Sequence, residues 1–263
     1  MLIYELLGLL QWRLPHGTTL KEQFHSLVQP TAQHVTRLSS VRRRPISAVM
    51  AAILIIGASR GIGLETVRAA LRAGHKVRAL SRSAANIPIE DADLEKASGD
   101  ARDRNTIRSA LKDIDVVIQT LGVDFSPRLI FAGTTLFSEA TRNLIDGMKA
   151  AGVKRLITVT GLGAGDSRGH GGFGYDWFVF PLLLKRVYDD KDVQEWIVRS
   201  SGLDWTIVRP GLLTNRPATG RYRILTASKN WQFGVISRAD VADFLVRQVD
   251  DRSLIGTTPL LIM

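Results

Sequence analysis

The chain has 263 residues, 45% hydrophobic and 23% charged, which is enough to bury a full core in one large α/β domain or two small ones. It contains no cysteine, which excludes disulfides, zinc–thiolate and iron–sulfur centres and thiol nucleophiles, and fits a reducing, cytoplasmic compartment. The net charge of +10 raises nucleic acid as a partner, but both signs are interspersed after residue 50 and no basic stripe emerges.

In chain order, residues 1–49 come first and differ from the rest of the chain. They lack strand alternation, carry His16-Gly17 and Pro30 as breakers, and end in Arg42-Arg43-Arg44-Pro45. Six basic residues against two acidic ones give this segment +4 and leave +6 for the remainder. Three readings stay open: sequence from an upstream start, a targeting peptide, or a poorly ordered extension. The apolar run Leu2 to Leu10 is too short to span a bilayer and carries Glu5, so a soluble protein is expected. Five scattered histidines give no metal site.

From Met50 onward, short β-branched runs alternate with longer amphipathic segments, the pattern of βαβ units on a parallel sheet. Ile53 to Ile56 is read as the first strand, Leu64 to Ala73 as the first helix, and Lys76 to Leu80 as the second strand. A short strand near Ala97, a helix from Asp103 to Lys112, the strand Val116 to Thr120 and a helix from Gly133 to Ala150 come next. Arg155 to Thr160 is a fifth strand, Leu182 to Ser200 a helix, and Trp205 to Val208 a sixth strand. Arg238 to Val249 reads as a surface helix and Pro259 to Ile262 as a last edge strand. The expected architecture is a Rossmann-type, doubly wound, mostly parallel sheet over residues 50–263, a single domain after the extension 1–49.

The strongest local signal is Gly57-Ala58-Ser59-Arg60-Gly61-Ile62-Gly63, which leaves a strand and opens a helix. The first glycine allows a tight turn, the second lets the backbone approach a pyrophosphate, and the third permits close packing of helix on strand. Amides at the helix start then favour phosphate charge, although an ordinary αβ turn has the same outline. Where such folds place a carboxylate on ribose hydroxyls, this chain has Ser81-Arg82. A guanidinium at that point suits the 2′-phosphate of NADP, and Arg60 adds a second cation, unless both are simply solvated surface charges.

These residues resemble the glycine motif of the short-chain dehydrogenase/reductase superfamily. Further landmarks resemble its atypical NAD(P)H-binding, flavin/biliverdin reductase-like branch: Gly99-Asp100, Val116 to Gly122, Val153 to Ile157, Ser201 to Gly211 and Ile236 to Ala242. The resemblance spans residues 51–262. It implies adenine contacts from Asp100 and Ala101, a cofactor ribose over Thr120, Leu121 and Gly122, and a nicotinamide between Thr160 and Pro210, Gly211 and Leu212. It also implies that Lys191 holds the nicotinamide ribose; paired with Glu195 at the helix surface, the same lysine would be merely structural.

The catalytic pattern of better-known members, Tyr-x-x-x-Lys, is absent. Tyr188-Asp189-Asp190-Lys191 is one residue short of it, so Tyr188 and Lys191 can share a helix face without the usual proton relay. Gly165 to Pro181, with Phe173, Tyr175, Trp177, Phe178 and Phe180, reads either as a lid over a planar acceptor or as core and subunit contact. The expected function is NADP(H)-dependent hydride transfer to a small planar acceptor, a flavin or quinone, with Lys191, Thr160 and Tyr188 as the catalytic candidates. The alternative is a non-catalytic NADP(H) sensor. A monomer or homodimer without metal is expected.

Overall fold

The computed structural model describes residues 50–123, 133–169 and 185–263. The strands are β1 (Ala52–Ile56), β2 (Lys76–Ser81), β3 (Leu94–Ser98), β4 (Val116–Gln119), β5 (Arg155–Val159), β6 (Asp204–Pro210), β7 (Leu212–Thr214), β8 (Arg223–Leu225), β9 (Val235–Ser237) and β10 (Leu260–Ile262). The helices are α1 (Gly61–Arg72), α2 (Arg104–Ala110), α3 (Leu136–Ala151), α4 (Lys185–Arg199) and α5 (Arg238–Asp250). The large sheet runs β3-β2-β1-β4-β5-β6-β10-β8 and is parallel except for β8, while β7 and β9 form a separate parallel pair. Strand order reverses between β1 and β4, and in such sheets ligands sit beyond the carboxyl ends of the strands at that reversal.

β1 shows why its sequence does not alternate. Ile53 and Ile55 point into a core shared with Val67 and Ala70 of α1 and Phe244 and Leu245 of α5. Leu54 and Ile56 point into a second core with Ile107 of α2, Leu144 and Met148 of α3 and Val198 of α4. A strand buried on both faces must be apolar at every position.

Two expectations need correction. β10 is an interior strand, parallel to β6 on one side and closed on the other by antiparallel β8. The sequence around Arg223–Leu225 is too short and too polar to signal that covering strand. α5 is not a surface helix, since eight of its 13 residues are buried, and it packs along α1. Its carboxylates obscure this, because Asp240 is itself buried, accepting from Ser237 and from the amides of Thr219 and Gly220. Phe244→Leu is therefore expected to cost about 1–2 kcal/mol in chemical denaturation, less than full truncation to alanine would. A change near zero would restore the surface reading.

α1 begins at Gly61, three residues before the expected start, so two of the loop glycines lie within its first turn. α3 takes its amino-terminal cap from another helix: Asp190 of α4 accepts from the amides of Phe137 at 2.8 Å and Ser138 at 3.3 Å. That tie sets α4 against α3 and brings the residue after Asp190 over Phe137. Residues 1–49 and the aromatic part of the expected lid, 170–181, lie outside the described residues.

Candidate cofactor and active site

The glycine loop is shaped by contacts that leave no room for side chains. Gly57 has φ +86°, and a Cβ there would stand 2.8 Å from the Thr120 carbonyl oxygen. A Cβ on Gly63 would collide with the Gly57 carbonyl, so the start of α1 lies directly on the strand end. Thr120 locks the same corner by donating from Oγ1 to the Ile56 carbonyl at 2.9 Å. α1 has no side-chain cap and no acidic residue in its first turn, which leaves its positive end available to an anion.

This loop forms one wall of a cavity of about 850 Å³ that crosses the carboxyl ends of β1, β2, β4 and β5. From the loop, Gly57, Ser59, Arg60, Gly61 and Ile62 line it. At its outer end stand Ser81, Arg82, Asp100 and Ala101. Thr120, Leu121 and Gly122 line the middle, and Thr160, Tyr188, Lys191 and Pro210 the inner end. Gly63, Gly211 and Leu212 do not line it. Gly63 underlies the loop, Gly211 packs on the backbone of Gly234, and Leu212 begins β7.

The outer end is cationic. Arg82 is exposed and makes no hydrogen bond or ion pair among the described residues. Ser81 Oγ beside it is buried without a partner. Asp100 is occupied: Arg102 donates to it from its side chain at 2.7 Å and from its amide at 2.9 Å, which holds the carboxyl below its usual range.

The inner end rests on a buried ion-pair network. Thr160 Oγ1 donates to Glu195 Oε1 at 2.8 Å, and Arg209 grips both oxygens of Glu195 through Nε at 2.9 Å and Nη2 at 2.5 Å. Glu195 is 2% and Arg209 0% exposed. Asp166 accepts from Arg209 and Arg199 at the network's outer side. Burial alone would pull the Arg209 guanidinium down, but its bonds to Glu195 and Asp166 hold it above the usual arginine range. With its proton given to Glu195, the Thr160 hydroxyl offers only lone pairs to the cavity it lines.

Lys191 is not the surface lysine of the structural alternative. It is 8% exposed, its Nζ lies 4.1 Å from the centre of the Phe137 ring, and Glu195 is spent on Arg209. Burial pulls its pKa down to about 8, against the opposing pull of Glu195 and Asp190. Tyr188, one turn earlier, brings its hydroxyl to 2.7 Å from where a Gly161 Cβ would be, so Tyr188, Lys191 and Thr160 converge at one end. Sequence reading missed Arg238, which lines the cavity from α5, and Arg209, whose one signal was a charge inside the apolar run Ile207-Val208-Arg209-Pro210.

Residues 57–252 match the family described as NAD(P)H-binding. The chain belongs to that family. It falls in the atypical branch of the short-chain dehydrogenase/reductase superfamily, an oxidoreductase fold that binds a nicotinamide nucleotide. Among its relatives is the uncharacterized sugar epimerase YhfK of Bacillus subtilis, 31% identical over 76% of this chain and 89% of that protein. An NAD(P)H azoreductase of Xenophilus azovorans is 29% identical over 60% of this chain, which spans only 47% of that longer relative. Among solved structures, the anaerobillin reductase ChuY of Escherichia coli O157:H7 superposes with a TM-score of 0.65 at 26% identity, covering 80% of this chain and 96% of ChuY. Among the described residues no helix is long and apolar enough to cross a membrane, and no group of ligands could hold a metal ion.

Proposed function

We propose that the protein is an NADPH-dependent reductase that passes hydride to a small planar acceptor such as a flavin or quinone. The observation that carries this reading is the polarity of one continuous cavity, with Arg82 and Ser81 at the outer end and Lys191, Tyr188 and Thr160 at the inner one. The glycine cradle and the unpartnered Ser81 hydroxyl fit a dinucleotide. When bound, NADPH supplies the hydride. Gly57, Ser59, Arg60, Gly61 and Ile62 would take its phosphates, Arg82 its 2′-phosphate, Asp100 and Ala101 its adenine, and Thr120, Leu121 and Gly122 its adenine-side ribose. Lys191 would donate to the nicotinamide ribose, Thr160 would accept from the carboxamide, and Pro210, with Gly211 and Leu212 behind it, would close the nicotinamide end. Tyr188 would fix the acceptor by contact. Catalysis then comes from positioning, since the Thr160 proton is committed to Glu195 and no Tyr-x-x-x-Lys pair is present. The azoreductase and anaerobillin reductase among the relatives favour a planar acceptor.

That committed Thr160 proton also favours a second reading, a cytoplasmic NADP(H) sensor. Following nicotinamide absorbance with flavins, quinones, azo dyes and aldehydes separates the two. Turnover with a planar acceptor supports the reductase; tight NADPH binding with no turnover supports the sensor.

Arg82→Ala is expected to weaken NADPH by about tenfold, the low end for an ionic phosphate contact because the guanidinium is exposed. NADH, which lacks the phosphate, should be unaffected; equal losses in parallel titrations would assign Arg82 another role. Residues 1–49 are proposed to be dispensable, so a chain starting at Met50 should keep its melting temperature and NADPH affinity. Insolubility or lost binding would make that segment part of the domain.

A further inference from the structure

The proposed dinucleotide site leaves one cation of the cavity without an assignment. Arg238 is the first residue of α5, is half-buried, and lines the cavity beside the glycine loop. Its Nε lies 3.8 Å from where a Cβ on Gly61 would stand, so the guanidinium stem already reaches the loop. Three features make this an electrostatically unfavourable place for an unopposed charge. A cation at a helix amino terminus faces the positive end of the dipole. No carboxylate among the described residues pairs with Arg238, because the nearest in sequence, Asp240, is turned to Ser237 and to the amides of Thr219 and Gly220. Burial pulls the guanidinium pKa down and no neighbouring charge opposes it. The position is nevertheless built. The β7–β9 pair ends in the register Thr214↔Ser237, and the next residues, Asn215 and Arg238, meet through a 2.7 Å hydrogen bond from Nη1 to Asn215 Oδ1. One donor is thereby fixed, and the rest of the fork is left for a ligand.

We propose that Arg238 is a pyrophosphate clasp, steered by Asn215, that closes on the two linking phosphates of the dinucleotide beside the α1 amides. It rests on the cofactor reading above and adds to it a residue from a different helix, one that serves NADPH and NADH alike. Titration of NADPH, NADH and adenosine 2′-monophosphate into the wild type, Arg238→Ala, Arg238→Lys, Asn215→Ala and Arg82→Ala tests it. Arg238→Ala should weaken both dinucleotides about tenfold and leave adenosine 2′-monophosphate, which has no pyrophosphate, unchanged. Arg238→Lys should recover part of the loss, and Asn215→Ala should cost about two- to threefold in the same pattern. Arg82→Ala should instead weaken NADPH and adenosine 2′-monophosphate and leave NADH unchanged. The clasp is overturned if Arg238→Ala and Arg238→Lys both bind the dinucleotides like the wild type, or if their losses extend equally to adenosine 2′-monophosphate or are confined to NADPH. A wild type that binds neither dinucleotide overturns the cofactor reading itself. Melting temperatures of the cofactor-free variants, expected to match the wild type, separate lost contacts from lost fold.

Discussion

Lys191→Met is expected to stabilise the cofactor-free protein at pH 7 while slowing NADPH turnover by at least about a hundredfold, the scale of a misplaced reacting group. The stabilising half comes from burial. A lysine whose pKa falls from 10.5 to about 8 on folding is held charged at pH 7 against its surroundings, at a cost on the order of 1–3 kcal/mol. Methionine removes that charge at similar length. It strands no partner, because Asp190 is bonded to the α3 amides and Glu195 to Arg209. The pH dependence has a definite sign. Between about 8 and 10.5 the unfolded chain holds the Lys191 proton and the folded one does not, so the Lys191 contribution to stability rises with pH across that window. Below it the full cost is present. The difference in unfolding free energy between variant and wild type should therefore be largest near neutrality and shrink towards pH 10.5. A variant less stable than the wild type at pH 7 would show that Lys191 is a net structural contributor.

Glu195→Ala should be the most destabilising single change at the site. It leaves Arg209, which is wholly buried, with Asp166 as its one carboxylate partner among the described residues, at the outer edge of the network. Breaking a buried pair from one side costs about 3–5 kcal/mol, because the remaining charge stays desolvated. At the usual scaling for a domain of this size, the melting temperature falls by roughly 10 °C. Replacing both partners by methionine should recover much of the loss, because the cost belongs to the unpaired charge rather than to the absence of a bridge. Equal destabilisation by the single and double variants would contradict this account. Thr160 loses its acceptor in either case, so activity should stay low in the double variant even where stability returns.

Much of the fold was legible because the physics that shapes it is local. Ile53 to Ile56 is apolar at every position because helices cover both faces, and the glycine loop after it is dictated by contacts a Cβ would destroy. Short elements escaped: β7, β8 and β9 have three residues each, too few for a period to register. Helix α5 was read as a surface helix because Asp240 looks solvent-facing until its long-range partners, the amides of Thr219 and Gly220, are known. The site divides in the same way. Residues next to the glycine loop could be found from spacing. Arg238 and Arg209 could not, because they reach the cavity and its support from strands and helices more than a hundred residues away. Lys191 was found by resemblance, but its burial over Phe137 depends on Asp190 capping α3, a contact between two helices that spacing does not encode.

The central claim, hydride transfer from NADPH bound in this cavity, is tested most directly by single-turnover mixing of the protein–NADPH complex with a flavin, compared with free NADPH and with the Lys191→Met complex. Oxidation is expected to be faster on the protein than in solution, slower with NADPH deuterated at the transferring carbon, and close to the solution rate for Lys191→Met. Oxidation of the bound cofactor no faster than of the free one, across flavins and quinones alike, would contradict it and leave the sensor reading in its place.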